Sequence, residues 1–266
     1  MSKGRNRNWL ILSILPVLMA GYVWFMNHRP ALADLAGKSV QRFLVQNSDW
    51  LLSFVLLLLA VLPFYLSLDK KRAQARDLAP IAVMAAVGVA GRAAFAIVPL
   101  PNFKPTLAIV MITALVFGPE SGYLTGALAA LLSNFLFGQG PWTPWQMVSF
   151  GVIGYLTGML YRTGLFGKVG QAATDTVGKR KKPIVLCVFG FFMGILYGWI
   201  MNIQYVSGYV RPINLTTIGA AYMASLWYDI NHGVCTALVL WLAGEPWVRK
   251  LLRIRKKFGL DGESRK

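Results

Sequence analysis

Residues 184–206 read IVLCVFGFFMGILYGWIMNIQYV, 23 positions without one charged side chain. Wound into an α-helix at 1.5 Å per residue, the stretch is about 35 Å long, enough to cross a hydrocarbon core of roughly 30 Å. Gly190, Gly194 and Gly198 recur every fourth residue along one face, and the row runs on into Asn202. Small residues at that spacing let helix backbones approach closely in lipid, where no hydrophobic effect drives one helix onto another. A polar amide at the end of such a row points to function, because unsatisfied polar groups are expensive at membrane depth.

Seven further apolar runs lie outward from this one, at 9–26, 50–68, 79–98, 104–118, 121–138, 143–163 and 225–244. Prolines such as Pro80, Pro99, Pro105, Pro119, Pro144 and Pro183 fall at or near their ends, where a missing amide hydrogen costs little. Composition agrees with eight spans: 56% of the 266 residues are hydrophobic, 14% are charged, and the mean hydropathy is +0.54. Such values argue against a soluble globular domain and for an all-α, polytopic membrane protein. The net charge of +17 would suggest nucleic acid in a soluble chain. Here the basic residues fill the gaps between apolar runs. With a cytoplasmic N-terminus, 21 Lys and Arg fall on the inner side and five on the outer, with Arg92 left inside a span. The bias sets both termini in the cytoplasm. The first run, preceded by Lys3, Arg5 and Arg7, reads as a signal anchor, because Ala31-Leu32-Ala33 lies too far from it for cleavage. Residues 27–49 form an outer connection expected to be partly helical on the membrane surface.

Several motifs carry little. Cys187 and Cys235 sit inside apolar runs without a Cys-x-x-Cys or a nearby His, so they read as small buried hydrophobes and no metal or cofactor site is expected. Gly37-Lys38-Ser39 resembles the end of a phosphate-binding loop, but Leu32 stands where its first glycine belongs. Any energy source must therefore come from another chain or a gradient. The polybasic stretches 179–182 and 249–257 hold topology against anionic headgroups or bind an acidic partner. Asn214-Leu215-Thr216 fits a glycosylation acceptor. An intramembrane hydrolase using Ser133 or His232 is the alternative from another class, though neither Gly-x-Ser-x-Gly nor His-Glu-x-x-His is present.

Two more rows of small residues occur: Ala82, Ala86, Ala90 and Ala94 in the third run, and Gly122, Gly126 and Ala130 in the fifth, continuing into Asn134. Tight inside and polar toward the outside, the pattern predicts a cup that opens outward. The connection Phe137-Gly138-Gln139-Gly140-Pro141-Trp142-Thr143-Pro144-Trp145-Gln146 sits at its mouth. Its tryptophans read either as headgroup anchors or as a lid over a ligand. Arg92 and Asp229 both fall in the outer half of the membrane and either pair with each other or face a ligand. His232 reads as a hydrogen-bonded helix contact or a ligand contact. The expected cavity residues are Arg92, Asn134, Gln139, Trp142, Trp145, Asn202, Tyr205, Asp229 and His232.

The segment Phe117-Gly118-Pro119-Glu120-Ser121-Gly122 through Gly126-Ala127-Leu128, followed by Ser133 to Met147, resembles the substrate-binding S component of energy-coupling factor (ECF) transporters. Asp229-Ile230-Asn231-His232-Gly233 resembles the start of the last helix in that family. The resemblance covers residues 79–248, six spans, preceded by a two-span extension at 1–78 and followed by a basic tail at 249–266. It implies a vitamin-capturing membrane protein, without chemistry of its own, in the bacterial plasma membrane. Such a protein docks on a transmembrane coupling subunit carrying two ATPases and releases cargo by toppling in the bilayer. The family's docking stripe would fall on Ala82, Ala86, Ala90 and Ala94. The tryptophan-rich loop is most like the cobalamin-type members, which implies a corrinoid cargo, with a smaller heterocycle as the other possibility.

Overall fold

The computed structural model describes residues 75–167, 169–170 and 184–260, with Val17, Ala20, Gly21, Trp24, His28 and Val55 as isolated positions. The runs at 9–26 and 50–68, the connection 27–49, the basic stretch 179–182 and residues 261–266 otherwise lie outside the described residues. Among the described residues all regular structure is helical. Six long helices follow one another: α1 (Ala75–Ala94, extended by a 3-10 turn at Phe95–Ile97), α2 (Thr106–Phe117), α3 (Pro119–Phe137), α4 (Trp142–Arg162), α5 (Ile184–Tyr209) and α6 (Leu215–Val239). A π-helical turn, Leu240–Gly244, leads into α7 (Glu245–Lys257).

The core sits around α2. Its twelve residues TLAIVMITALVF are apolar on every side, and all but Phe117 are buried, as expected of a helix with no polar face to give to its surroundings. It packs against α1, α3, α4 and α7. Leu78–Ile97 and Ile184–Tyr209 are long and apolar enough to cross a membrane. At Gly118, φ is +98°, a conformation open to glycine, and the chain reverses there from α2 into α3.

The connections alternate between two ends of the bundle. One end carries the α2–α3 turn and α7: Arg162 pairs with Glu120 at 3.6 Å, and Arg255 Nη1 donates to the Val116 carbonyl at 2.6 Å, satisfying an orphan acceptor at the end of α2. The other end gathers the connections 98–105, 138–141 and 210–214.

The glycine rows hold helices of this chain to one another. A Cβ added to Gly126 of α3 would come within 2.7 Å of the Phe150 carbonyl carbon on α4, and one on Gly154 of α4 within 2.6 Å of the Gly122 oxygen. The alanine row behaves differently: Ala82, Ala86, Ala90 and Ala94 are all exposed along α1.

Two boundaries differ from the sequence reading. Helix α6 begins at Leu215, ten residues before the apolar run, and α5 continues three residues past its run, to Tyr209. Asn214, read as a glycosylation acceptor, is the N-cap of α6. Its Oδ1 accepts from Thr217 N at 2.9 Å, and Thr217 Oγ1 accepts from Asn214 N at 3.1 Å, a reciprocal capping box. The stretch Thr216 to Ser225 is too rich in small and hydroxyl residues to register as apolar. Residues 249–257, assigned to a tail, belong to α7.

Gly126→Ala is expected to destabilise the bundle by about 1–3 kcal/mol through overpacking. Gly219→Ala, where an added Cβ meets nothing within 4 Å, should leave stability unchanged or raise it. Thermal unfolding of the two variants in detergent checks this.

Candidate functional site

Helices α5 and α6 touch in one half and part in the other. Near their α7 end, glycine supplies the contact: a side chain on Gly194 would overlap the Gly233 backbone, and one on Gly198 would overlap the Asp229 carboxylate. Beyond Asp229, α6 turns Thr217, Ala220, Ala221, Ala224 and Ser225 toward α5. Their spacing puts them on one helical face, and none is larger than threonine. Helices pinned together by glycines but lined above by alanines leave space, here a cavity of about 760 Å³. Tyr197, Met201, Asn202 and Tyr205 form its α5 wall, Tyr228 and Asp229 extend the α6 wall, and Gln146 and Asn102 close it from the rest of the bundle.

A polar relay crosses the cavity. Asn202 Nδ2 donates to Ser225 Oγ at 2.6 Å, and Ser225 Oγ donates to Asp229 Oδ2 at 3.1 Å. Asp229 is only 3% exposed, and among the described residues no cation pairs with it. A buried carboxyl held by one hydroxyl is under-satisfied.

A second network lies beside the first. Arg92 Nη1 donates to Ser133 Oγ at 2.5 Å and to Asn134 Oδ1 at 2.9 Å. The Asn134 amide donates to Thr143 Oγ1 at 2.9 Å and to Gln146 Oε1 at 2.8 Å, and Thr143 donates to Gln139 Oε1 at 2.9 Å. Arg92 and Lys104 each lie 5.0 Å from the Phe137 ring centroid. In its connection, Lys104 has its pKa lowered from the ordinary lysine value, first by burial and then by the Arg92 charge. Gln146 belongs to this network and to the cavity wall, so it joins the two.

The two charges that sequence left as a pair or as ligand contacts therefore have separate partners: Arg92 has Ser133 and Asn134, Asp229 has Ser225. Of the expected cavity residues, Asn202, Tyr205 and Asp229 line the cavity. Arg92, Asn134 and Gln139 stand behind it in the second network. Trp145 is fully buried, and Trp142 is 37% exposed; neither is among the lining residues. His232 sits one layer below, its ring 4.7 Å from Tyr197 and 6.0 Å from Phe150, centroid to centroid, with both nitrogens buried and without a partner. Ser133 accepts from Arg92 and donates to the Ala130 carbonyl at 3.1 Å, a hydroxyl held by a cation rather than activated by a base. Gln146, Tyr197, Ser225 and Tyr228 were not among the expected residues. The signal that could have found the α6 members is the small-residue face 217, 220, 221, 224, 225, which has helical period but too little hydrophobicity to stand out.

Residues 72–186 match the family model described as ECF-type riboflavin transporter, S component. The chain is 27% identical over 146 residues to a protein named UPF0397 protein from Streptococcus agalactiae, covering 53% of this chain and 75% of that one. No solved structure matches. The family-model match, over less than half of the chain, supports an S component of an ECF-type transporter; it does not support the cobalamin type, since that family is described by riboflavin.

Asn134→Leu leaves the Arg92 guanidinium and the Gln146 oxygen short of partners and should cost about 1–3 kcal/mol. Adding Arg92→Leu to Asn134→Leu should cost clearly less than the sum of the single changes, as for any coupled pair. Denaturant unfolding in detergent of the single and double variants measures the coupling.

Proposed function

We propose that the chain is the substrate-capturing S component of an ECF-type importer. It holds a vitamin-like heterocycle in the α5–α6 cavity and performs no chemistry on it. The observation that carries this reading is the buried, under-satisfied carboxyl of Asp229 on the wall of a roughly 760 Å³ cavity. That volume lies within the roughly 300–1,000 Å³ usual for sites that enclose one drug-sized ligand. Tyrosines supply flat apolar area, while Asn202, Gln146 and Asp229 supply orientation, the division of labour common to such pockets.

The family match covers α1 to α4 and ends at residue 186, whereas both main walls of the cavity come from α5 and α6. Likeness to a riboflavin-type family therefore supports the scaffold and the mode of coupling more than the cargo. The corrinoid reading draws no support from the comparisons, and the cavity volume favours the smaller heterocycle. Asp229 adds a preference: a ligand donor, an N–H or an amine, complements the carboxyl.

In this reading the chain crosses the plasma membrane eight times with both termini in the cytoplasm, so the cavity end faces outward and α7 inward. The exposed row Ala82, Ala86, Ala90 and Ala94 is the surface for a coupling subunit and its two ATPases. Small residues allow the close helix contact that such docking requires in lipid.

Thermal shift of the purified full chain against a vitamin panel, with riboflavin and cobalamin included, tests the proposal. Binding at 100 times Kd adds about 2.7 kcal/mol to stability. One small heterocycle is expected to give saturable stabilisation that Asp229→Ala or Asn202→Ala weakens at least tenfold. Saturable binding untouched by both variants would move the site elsewhere, and a panel with no stabilising member would count against capture.

A further inference from the structure

Helix α7 has a surface that neither the cavity nor the alanine row uses. The helix is fixed in place: Val248 is fully buried, Glu245 accepts from Gly170 N at 3.0 Å and pairs with Arg249 at 3.1 Å, and Arg255 is spent on the Val116 carbonyl. Lys250, Arg253, Lys256 and Lys257 are exposed. Three of them, at 250, 253 and 257, share one stripe by helical spacing. The neighbouring stripe at 251, 254 and 258 is apolar, and there Ile254 is 44% exposed and Phe258 60% exposed. A helix with cations on one stripe and aliphatic and aromatic residues on the next has the composition of one that lies in a membrane interface.

The apolar stripe opens into a groove. Leu251, Ile254 and Phe258 form one wall, Ala79 and Val83 of α1 the other, and Phe117 the floor, around a volume of about 340 Å³ with almost no polar surface. Lys257 Nζ lies 5.7 Å from the Phe258 ring centroid, which brings a cation to the groove's edge. An apolar trough bordered by fixed positive charge suits a molecule with a hydrocarbon chain and an anionic head.

We infer that the α1–α7 groove binds an anionic phospholipid, with an acyl chain lying between α1 and α7 and its phosphate against the stripe of Lys250, Arg253 and Lys257. Charge complementarity selects the headgroup, and the apolar groove holds the chain. The inference needs α1 to span a bilayer with α7 on its surface, and it is independent of any cargo. The groove runs beside the Ala82–Ala86 stretch of α1, so a lipid seated there borders the proposed docking row.

The test uses the full chain in phosphatidylcholine nanodiscs containing phosphatidylglycerol or phosphatidylcholine with a photoactivatable acyl chain, at equal mole fraction, with adducts mapped by peptide mass spectrometry. The phosphatidylglycerol probe is expected to label residues 79–84 and 251–258 at least fivefold more than the phosphatidylcholine probe. The variant Lys250→Gln, Arg253→Gln and Lys257→Gln, three exposed substitutions, should bring the ratio within twofold while labelling elsewhere stays constant. Val83→Trp should lower groove labelling by both probes. Equal labelling in the unaltered chain, a preference that survives the charge variant, or no adducts in the groove would each overturn the inference. The last would point to protein as the occupant, testable by loss of coupling-subunit association in the same variants.

Discussion

The contact of α5 with α6 at Gly194 and Gly233 is a meeting of two backbones with no side chain between them, and the geometry of the cavity depends on it. Between apolar helices in lipid, such contacts rest on close van der Waals fit rather than on water exclusion. One turn further along, Gly198 leaves the space that the Asp229 carboxyl occupies. Pinned at that level, the helices cannot slide together above it. The alanine and hydroxyl face of α6 then leaves a void instead of a filled seam. Tightness in one half and openness in the other are thus two results of the same choice of small residues: glycine where backbones must touch, alanine where volume must be left.

Polar groups around the void divide by how well they are satisfied. The Arg92 cluster is well connected: Arg92 Nη1, both Asn134 amide hydrogens and the Thr143 hydroxyl all have partners. It holds the ends of α1, α3 and α4 in register, and it presents Gln146 to the cavity as a fixed element. Asp229, by contrast, has a single hydroxyl. A fully connected buried network rigidifies a structure, and an incomplete one carries a free-energy cost that a ligand can relieve. The contrast between these neighbours distinguishes scaffold from candidate ligand contact more clearly than burial does, since both are largely hidden from water.

Much of the architecture could be read from residue order because the signals were long and periodic. An uncharged run of 23 residues has few alternatives to a helix. Asn202, Tyr205 and Asp229 stood out as polar or aromatic residues at the ends of such runs, and they do line the cavity. The first half of α6 was hidden because a wall made to leave room consists of small residues, which carry little hydropathy; its cap at Asn214 was instead read as a modification motif. Trp142 and Trp145 were left open between headgroup anchors and a lid; Trp145 is buried within the bundle, and Trp142 lies outside the cavity lining. The alanine row is exposed along α1, whereas the glycine rows are consumed within the chain, a difference that spacing alone could not show.

The central claim is that the space between α5 and α6 is reached from outside the cell and takes a ligand. Cysteine substituted at Ala221 or Ala224 reports on it directly, because the native Cys187 and Cys235 are both buried and contribute little background. In intact cells a membrane-impermeant thiol reagent should modify either substituted position, and the vitamin that stabilises the protein should slow the reaction. Modification only in inverted vesicles, or a rate indifferent to every ligand that binds, would contradict the account.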